Sequence, residues 1–255
     1  MKKHASLLVL IILAAGIVAA LVASRSKDPA VLEATRKAPP PSAVSAERPA
    51  TADPYRTRGK SASIDHNRAP AGPFPEVPKS RAGIAISDNP FDGRSKAEQR
   101  WLDAHGYPNT LQWEAYNMAS DGLLEQAAKS GDTTAQTLLD ARLLPDKAAL
   151  DRLMLSVVDG NVFALQMIAS HYASTGKNGN VNAYAASRVL EMRGDPSAAV
   201  GREIMFRPPL ELDERMRGEA EALHLNATLN RIYQKKYGAP FTPDLRPFPI
   251  ENPGN

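Results

Sequence analysis

No cysteine occurs among the 255 residues of the chain. This absence excludes disulfide frameworks, thiolate metal sites, cysteine nucleophiles and an acylated lipoprotein cysteine. Any function of the chain must therefore depend on chemistry other than that of thiols.

The patterns that accompany common catalytic and cofactor sites are also missing. The five histidines lie at positions 4, 66, 105, 171 and 224, so none pairs at the i, i+4 spacing of a zinc site on a helix. The sequence has no Gly-x-Ser-x-Gly elbow, no phosphate-binding glycine loop and no dinucleotide fingerprint. We therefore predict no catalytic residue, no metal site and no cofactor. A catalytic all-α domain that uses His171 with an unidentified carboxylate stays open as an alternative.

The foldable part of the chain lacks an excess of basic charge. Residues 95–255 carry 17 basic and 20 acidic side chains, whereas residues 1–94 carry 14 basic and 8 acidic ones. A nucleic-acid interface needs a basic patch on a folded surface. We therefore predict no nucleic-acid partner, although the net charge of the chain is +3.

The longest apolar run lies near the amino terminus. Residues 6–24 are 19 consecutive uncharged positions, preceded by two lysines and followed by Arg25 and Lys27. A helix of this length spans about 28 Å, which matches a hydrocarbon core of roughly 30 Å. We predict an uncleaved signal anchor in residues 1–27 that crosses the membrane through residues 6–24. A cleavable secretory signal is the alternative.

The basic residues on the two sides of this run are nearly balanced, so they set the orientation only weakly. A very short basic amino tail followed by a long domain favours the tail in the cytosol. We therefore expect a single-pass protein of the inner membrane whose carboxyl-terminal domain lies in the periplasm.

Proline marks the next segment. Residues 25–94 contain 11 of the 21 prolines and few large apolar side chains. Such a composition cannot bury enough apolar surface to offset the entropy lost on ordering. We predict a disordered linker over residues 28–94. Within it, Phe74 with Pro75 and Ile84 with Ile86 are either incidental apolar residues or short docking motifs.

From Ser95 onward the sequence predicts an all-α domain over residues 95–237. Alanine- and leucine-rich segments follow one another, each preceded by a capping residue. Ser95 with Glu98 and Asn109 with Gln112 have the spacing of capping boxes. Six further helix starts are predicted at Asp121, Asp132, Asp146, Asn161, Asn180 and Asp195. No stretch alternates apolar and polar residues as a strand would.

The last predicted helix runs from Asp213 to Tyr237, acidic at its start and basic at its end as the helix dipole prefers. Met216, Ala220, Leu223, Ala227 and Ile232 form its predicted apolar stripe. Residues 238–255 are proline-rich and are predicted to be an extended tail. This tail either lies back over the domain or offers a polyproline-type ligand.

Three segments of the domain share one pattern, in which a small or apolar pair precedes glycine, Asp or Asn follows it, and alanine comes three positions later. The glycines are Gly131, Gly160 and Gly194, at spacings of 29 and 34 residues, close to the period of helix-pair arrays. The glycine is expected to end one helix in a left-handed conformation, and the next residue to cap the following helix. We therefore predict a short α-solenoid of helix pairs.

The sequence Ala-Ala-x-x-Gly-Asp-x-x-Ala-Gln at residues 127–136 resembles the signature of Sel-one-like repeats, a tetratricopeptide-like class of α-solenoid. Gly160-Asn161-x-x-Ala164, followed by Ile168 and Tyr172, resembles a second copy. The resemblance covers roughly residues 110–206 and departs from the family where Asp140 and Ala169 replace a small glycine. It implies a scaffold for protein partners, frequently in bacterial envelopes, without catalytic residues.

Five aromatic residues are the predicted candidates for contact with a partner, because tryptophan and tyrosine dominate interface hot spots. They are Trp101, Trp113, Tyr116, Tyr172 and Tyr184. For Trp101, Trp113 and Tyr116 a place in the core of the first helix pair is the alternative. The function predicted from the sequence is a membrane-anchored, non-enzymatic scaffold of the cell envelope that binds a protein or peptide. An accessory or regulator of a cell-wall enzyme is the second reading.

Overall fold

The structure is a computed structural model and describes residues 72–247. This range contains nine α-helices, one 3₁₀ turn and no β-strand, which confirms the all-α class. The helices are α1 (Lys96–Ala104), α2 (Thr110–Met118), α3 (Asp121–Lys129), α4 (Thr133–Leu143), α5 (Lys147–Val158), α6 (Phe163–Ser174), α7 (Asn180–Met192), α8 (Ser197–Met205) and α9 (Leu212–Tyr237). The described helices include none with the length and apolarity to cross a bilayer. The predicted anchor over residues 6–24 lies outside the described range.

The repeated glycine turn is present in all three predicted places. Gly131, Gly160 and Gly194 have φ angles of 93°, 100° and 113°. After each glycine, the next residue donates its amide to a carbonyl five positions back, over 3.1, 2.9 and 3.2 Å respectively. This bond is the signature of a Schellman ending. The alanines three positions on from Asp132, Asn161 and Asp195 are all buried, so the helices that follow approach their neighbours closely.

Most helices pack on the helix that precedes or follows them. Contacts join α3 to α4, α4 to α5, α5 to α6, α6 to α7 and α7 to α8, and α4 also meets α2 and α6. The long helix α9 lies along α7 and reaches α5. Leu124, Leu153, Phe163, Ile168 and Leu229 are among the fully buried side chains of the shared core.

The predicted apolar stripe of α9 is on the wrong side of the helix. The residues of α9 that are buried are Gly218, Ala222 and Leu229, whereas Met216 and Leu223 are 65% and 61% exposed. Small residues face α7 because the helices lie close together. A Cβ on Gly218 would stand 2.6 Å from the ring of Tyr184.

Residues 72–94, which composition assigned to the linker, lie against α1 and α2 instead. Arg81 is 1% exposed. Its guanidinium donates to the Asp103 carboxylate at 2.5 Å and to the carbonyls of Phe91 and Pro108, each at 2.6 Å. The folded unit therefore begins before residue 95. The polar bonds of Arg81 add to the few apolar contacts of this segment, in which Phe74 packs on Tyr116 and Phe91 stacks on Trp113. Residues 28–71 lie outside the described range.

The described part of the tail, residues 238–247, has no helix and lies back over the domain, as one of the two predicted alternatives proposed. The indole N–H of Trp101 donates to the carbonyl of Asp244 at 2.9 Å. The amide of Arg246 donates to the carbonyl of Gly194 at 2.8 Å. The tail is thereby fixed across α1 and the turn after α7.

Candidate functional site

Three of the five aromatic residues predicted to contact a partner are buried. Trp101, Tyr116 and Tyr184 are 4%, 0% and 8% exposed, so they offer almost no surface to another molecule. For these three the prediction is corrected: their rings supply the apolar area that the short helices need. Trp113 and Tyr172 are half-buried and keep part of their rings at the surface.

His171, the residue of the alternative catalytic reading, lies on the buried side of α6. Burial lowers the pKa of its imidazole. Its Nδ1 has no hydrogen-bond partner among residues 72–247, and its ring meets Tyr172 edge to face. The described residues thus give this imidazole no carboxylate to orient it, which an acid–base pair requires.

A cleft of about 220 Å³ opens where the ends of α5, α7 and α9 meet the tail. Its lining residues are His105, Val158, Asp159, Gly160, Val162, Arg193, Tyr233, Tyr237, Phe241, Thr242 and Asp244. The walls are mixed: aromatic and aliphatic side chains alternate with the charged or polar side chains of Asp159, Arg193 and Asp244. We refer to it below as the Arg193 cleft.

Arg193 is the unusual residue of this cleft. It is 1% exposed, yet no carboxylate bonds to it among the described residues. Its Nη2 donates to the side-chain oxygen of Asn230 at 2.8 Å, while Nε and Nη1 have no acceptor within residues 72–247. The Phe241 ring covers the guanidinium at 4.1 Å from its centroid. Burial lowers the pKa of Arg193 to about 10, so the group stays protonated at neutral pH.

The other charged groups of the cleft already have partners. Asp159 accepts from Lys236 Nζ at 2.5 Å and from the Tyr237 hydroxyl at 2.7 Å. Burial acts to raise the pKa of Asp159, but these two bonds outweigh it and lower the pKa. His105 holds the Trp101 carbonyl with Nδ1 at 2.8 Å, and its Nε2 lies 3.8 Å from the exposed carboxylate of Asp244. Arg193, in contrast, has no carboxylate bonded to it among the residues that the structure describes.

Two residues of the cleft could have been found from the repeat pattern. Asp159 and Arg193 each stand directly before a repeat glycine, where the first copy has Ser130. The predicted repeat pattern contained the glycines but assigned no role to the residue before each of them. The aromatic walls carry no such signal, because Tyr233 and Phe241 come from α9 and the tail.

The outer face of α9 is the main apolar surface without a neighbour among the described residues. Leu212, Met216 and Leu223 are 73%, 65% and 61% exposed, and Ala220 and Ala227 lie exposed on the same side. We call these five residues the α9 outer face. Its flanks are charged, with Asp213 near the start of the helix and Arg231 near the end.

Comparisons with family models, curated proteins and solved structures gave no match. No group of acidic or histidine side chains within residues 72–247 is arranged to hold a metal ion. The function must therefore be argued from the Arg193 cleft, the α9 outer face and the sequence itself.

Proposed function

We propose that the chain is a non-enzymatic, membrane-anchored scaffold of the bacterial cell envelope that acts through protein–protein contact. Residues 6–24 would hold it in the inner membrane, with the helical domain in the periplasm. The order of helices, each packed on its neighbour through a repeated glycine turn, supports a tetratricopeptide-like array of the Sel-one-like kind.

The observation that carries this proposal is the α9 outer face. Monomeric proteins rarely expose a continuous row of leucine and methionine side chains. Such a row along a helix therefore indicates an interaction surface. Helix α9 has 26 residues, a length of about 39 Å. We assign the surface to the same helix of a second copy, laid antiparallel across a two-fold axis.

The α9 outer face is complementary to itself, and this supports a second copy of the chain as its partner. When the axis passes between residues 221 and 222, Met216 faces Ala227 of the second copy and Leu223 faces Ala220. Met216 and Leu223 then each meet an alanine, as ridges into grooves require, whereas Leu212 falls opposite Arg231 of the second copy. In the same register Asp213 lies beside Arg231 of the second copy, and a two-fold axis makes every such contact twice.

The absence of cysteine permits a direct test by disulfide cross-linking of the full chain in native membranes. Two variants, Ala220→Cys and Leu223→Cys, are co-expressed with different tags. We expect a disulfide-linked dimer that carries both tags, because these positions face each other in the proposed register. The matched control replaces Leu223→Cys by Glu221→Cys, which the helical repeat of about 100° per residue places on the opposite side.

Equal cross-linking in the control, or no cross-linked dimer at all, would refute the pairing. A cross-linked product whose mass differs from twice that of the chain would show that another protein occupies this face. A charged variant, Leu223→Glu, should abolish the dimer without loss of helix content, since the side chain points to solvent in the monomer.

A further inference from the structure

We propose that the Arg193 cleft binds a carboxylate, carried either by a small organic acid or by the carboxyl terminus of a peptide. The proposal is independent of the α9 outer face. It starts from the buried guanidinium that lacks an acceptor on two of its three nitrogen atoms among the described residues.

An unpaired buried cation is a strong departure from the rest of this molecule. Arg81, Arg142 and Arg246 each donate to carboxylates or carbonyls through two or more nitrogens. Buried charges in proteins are paired, because burial without a partner is costly. Within residues 72–247, Arg193 meets only the Asn230 amide oxygen and the Phe241 ring, so a ligand oxygen would complete its hydrogen bonds.

The residues that line the cleft favour a monoanion with a small apolar body. Tyr233, Tyr237 and Phe241 give it aromatic sides that suit an apolar body. The carboxylates of Asp159 and Asp244 stand near the mouth and would repel a dianion such as phosphate more than a monoanion. The volume of about 220 Å³ is below the usual range for drug-sized ligands and fits a short acid or one terminal residue.

Access to the guanidinium runs past Phe241. This residue belongs to the non-helical tail, is half-buried, stacks on Arg193 and meets Tyr233 edge to face. We expect the tail, rather than a helix, to move when a ligand oxygen approaches Nε and Nη1. The ligand then adds charge-assisted hydrogen bonds in the plane of the guanidinium.

Trp101 supplies the readout, because its ring stacks on the cleft residue His105 with centroids 4.1 Å apart. The full chain carries Trp113→Phe, so that Trp101 is the only tryptophan. Its fluorescence is followed during titration with sodium butyrate, with sodium phosphate, and with the peptide alanyl-alanyl-valine bearing either a free or an amidated carboxyl terminus. We expect saturable changes with the free acids and none with the amide.

The variant Arg193→Lys should bind about tenfold more weakly, because a lysine loses the charged hydrogen bonds of the fork. Arg188→Gln is the matched control: it removes a cation from α7, but one that pairs with Glu191 and Glu219 away from the cleft, and should leave affinity unchanged. If Arg193→Lys does not fold, Thr242→Phe fills the exposed mouth and should block binding with Arg193 intact.

The titrations with butyrate and with the peptide also distinguish a small organic acid from a peptide carboxyl terminus as the ligand. Tighter binding of the peptide than of butyrate assigns the cleft to a chain terminus, and equal or tighter binding of butyrate assigns it to a small acid. The proposal is overturned if no probe changes the fluorescence, if the amidated peptide or phosphate binds as well as the free acids, or if binding survives both Arg193→Lys and Thr242→Phe.

Discussion

Removal of the Arg246 side chain is expected to destabilise the domain far more than removal of an exposed arginine. The Arg246 guanidinium lies between two buried carboxylates. Nε and Nη2 reach Glu98 Oε1 at 2.8 and 2.7 Å, and Nη1 reaches Asp195 Oδ2 at 3.2 Å. The side chains of Arg246, Glu98 and Asp195 are 11%, 6% and 2% exposed. Arg246→Ala would leave both carboxylates buried without this cation.

The size of the stability loss in Arg246→Ala depends on the hydrogen bonds that the two carboxylates keep. Loss of one partner from a buried ion pair costs about 3 to 5 kcal/mol. Asp195 keeps the Tyr107 hydroxyl and the Ser197 amide, and Glu98 keeps the Arg94 amide. We therefore expect the lower end, about 3 kcal/mol, which corresponds to a fall in Tm of about 6 to 12 °C for a domain of this size.

Urea unfolding of the full chain in detergent, followed by circular dichroism, measures the effect. Arg217→Ala is the control, since Arg217 and Asp213 form an exposed pair with side chains 63% and 73% accessible. Such pairs contribute about 0.5 kcal/mol or less. If Arg246→Ala lowers the free energy of unfolding no more than Arg217→Ala does, the buried network has no role in stability and the reasoning fails.

Two further changes test the turn after α7 and the pH dependence of the fold. Gly194→Ala combines a φ of 113° with a Cβ placed 2.1 Å from the Asp244 carbonyl, whereas Gly131→Ala has a φ of 93° and nothing within 4 Å. Both should lose about 1 kcal/mol to backbone strain, but only Gly194→Ala should also release the tail, seen as faster hydrogen exchange of the Arg246 amide. Equal exchange in the two variants would contradict this. Burial acts to raise the pKa of Asp132, but hydrogen bonds from Lys79, Tyr116 and the Ala135 amide outweigh it and lower the pKa. Asp132 therefore stabilises the fold fully above its unfolded pKa of about 3.9 and loses that contribution as the pH falls through the lower folded value. Urea midpoints measured below pH 4 should depend on pH less steeply in Asp132→Asn, and identical slopes would speak against it.

The local features of the fold were predictable because they depend on neighbours in sequence. Asp132 and Asp146 cap the helices that follow them, and Asn109 with Gln112 forms the predicted capping box. A glycine that ends a helix and an oxygen that caps the next one act within six residues, so the pattern predicted many of these features. Three predicted helix starts were wrong: Asn161 and Asn180 make no capping bond, and Ser120 rather than Asp121 caps α3.

Features that join distant parts of the chain were missed. Ser95 caps α1 as predicted, but the carboxylate of Glu98 turns to Arg246, which is 148 residues away, and to the Arg94 amide. The composition of residues 72–94 gave no sign of folding, because the segment has few large apolar side chains. It is held by the polar bonds of Arg81 and by single aromatic contacts, such as that of Phe91 with Trp113. The predicted apolar stripe of α9 was wrong for a related reason. Close packing against Tyr184 requires the glycine at position 218 rather than a large apolar residue.

The Arg193 cleft was not predicted from the sequence. The residues before the repeat glycines share no chemistry, and the aromatic walls depend on how α9 and the tail cross the ends of α5 and α7. No periodicity describes that crossing.

One carboxylate ties the two flanks of the helical domain together. Glu98 accepts from the Arg94 amide with one oxygen and from Arg246 with the other, and its neighbour Gln99 donates to the Ile84 carbonyl. The segment that leads into the helices and the segment that trails them thus share an anchor on α1. A force or a protease that loosens one would weaken the hold on the other, so the two are expected to open as a single cooperative unit. A pull on the segment before α1 would therefore reach the rim of the Arg193 cleft through this carboxylate, because Arg246 and the cleft residue Asp244 belong to the same tail.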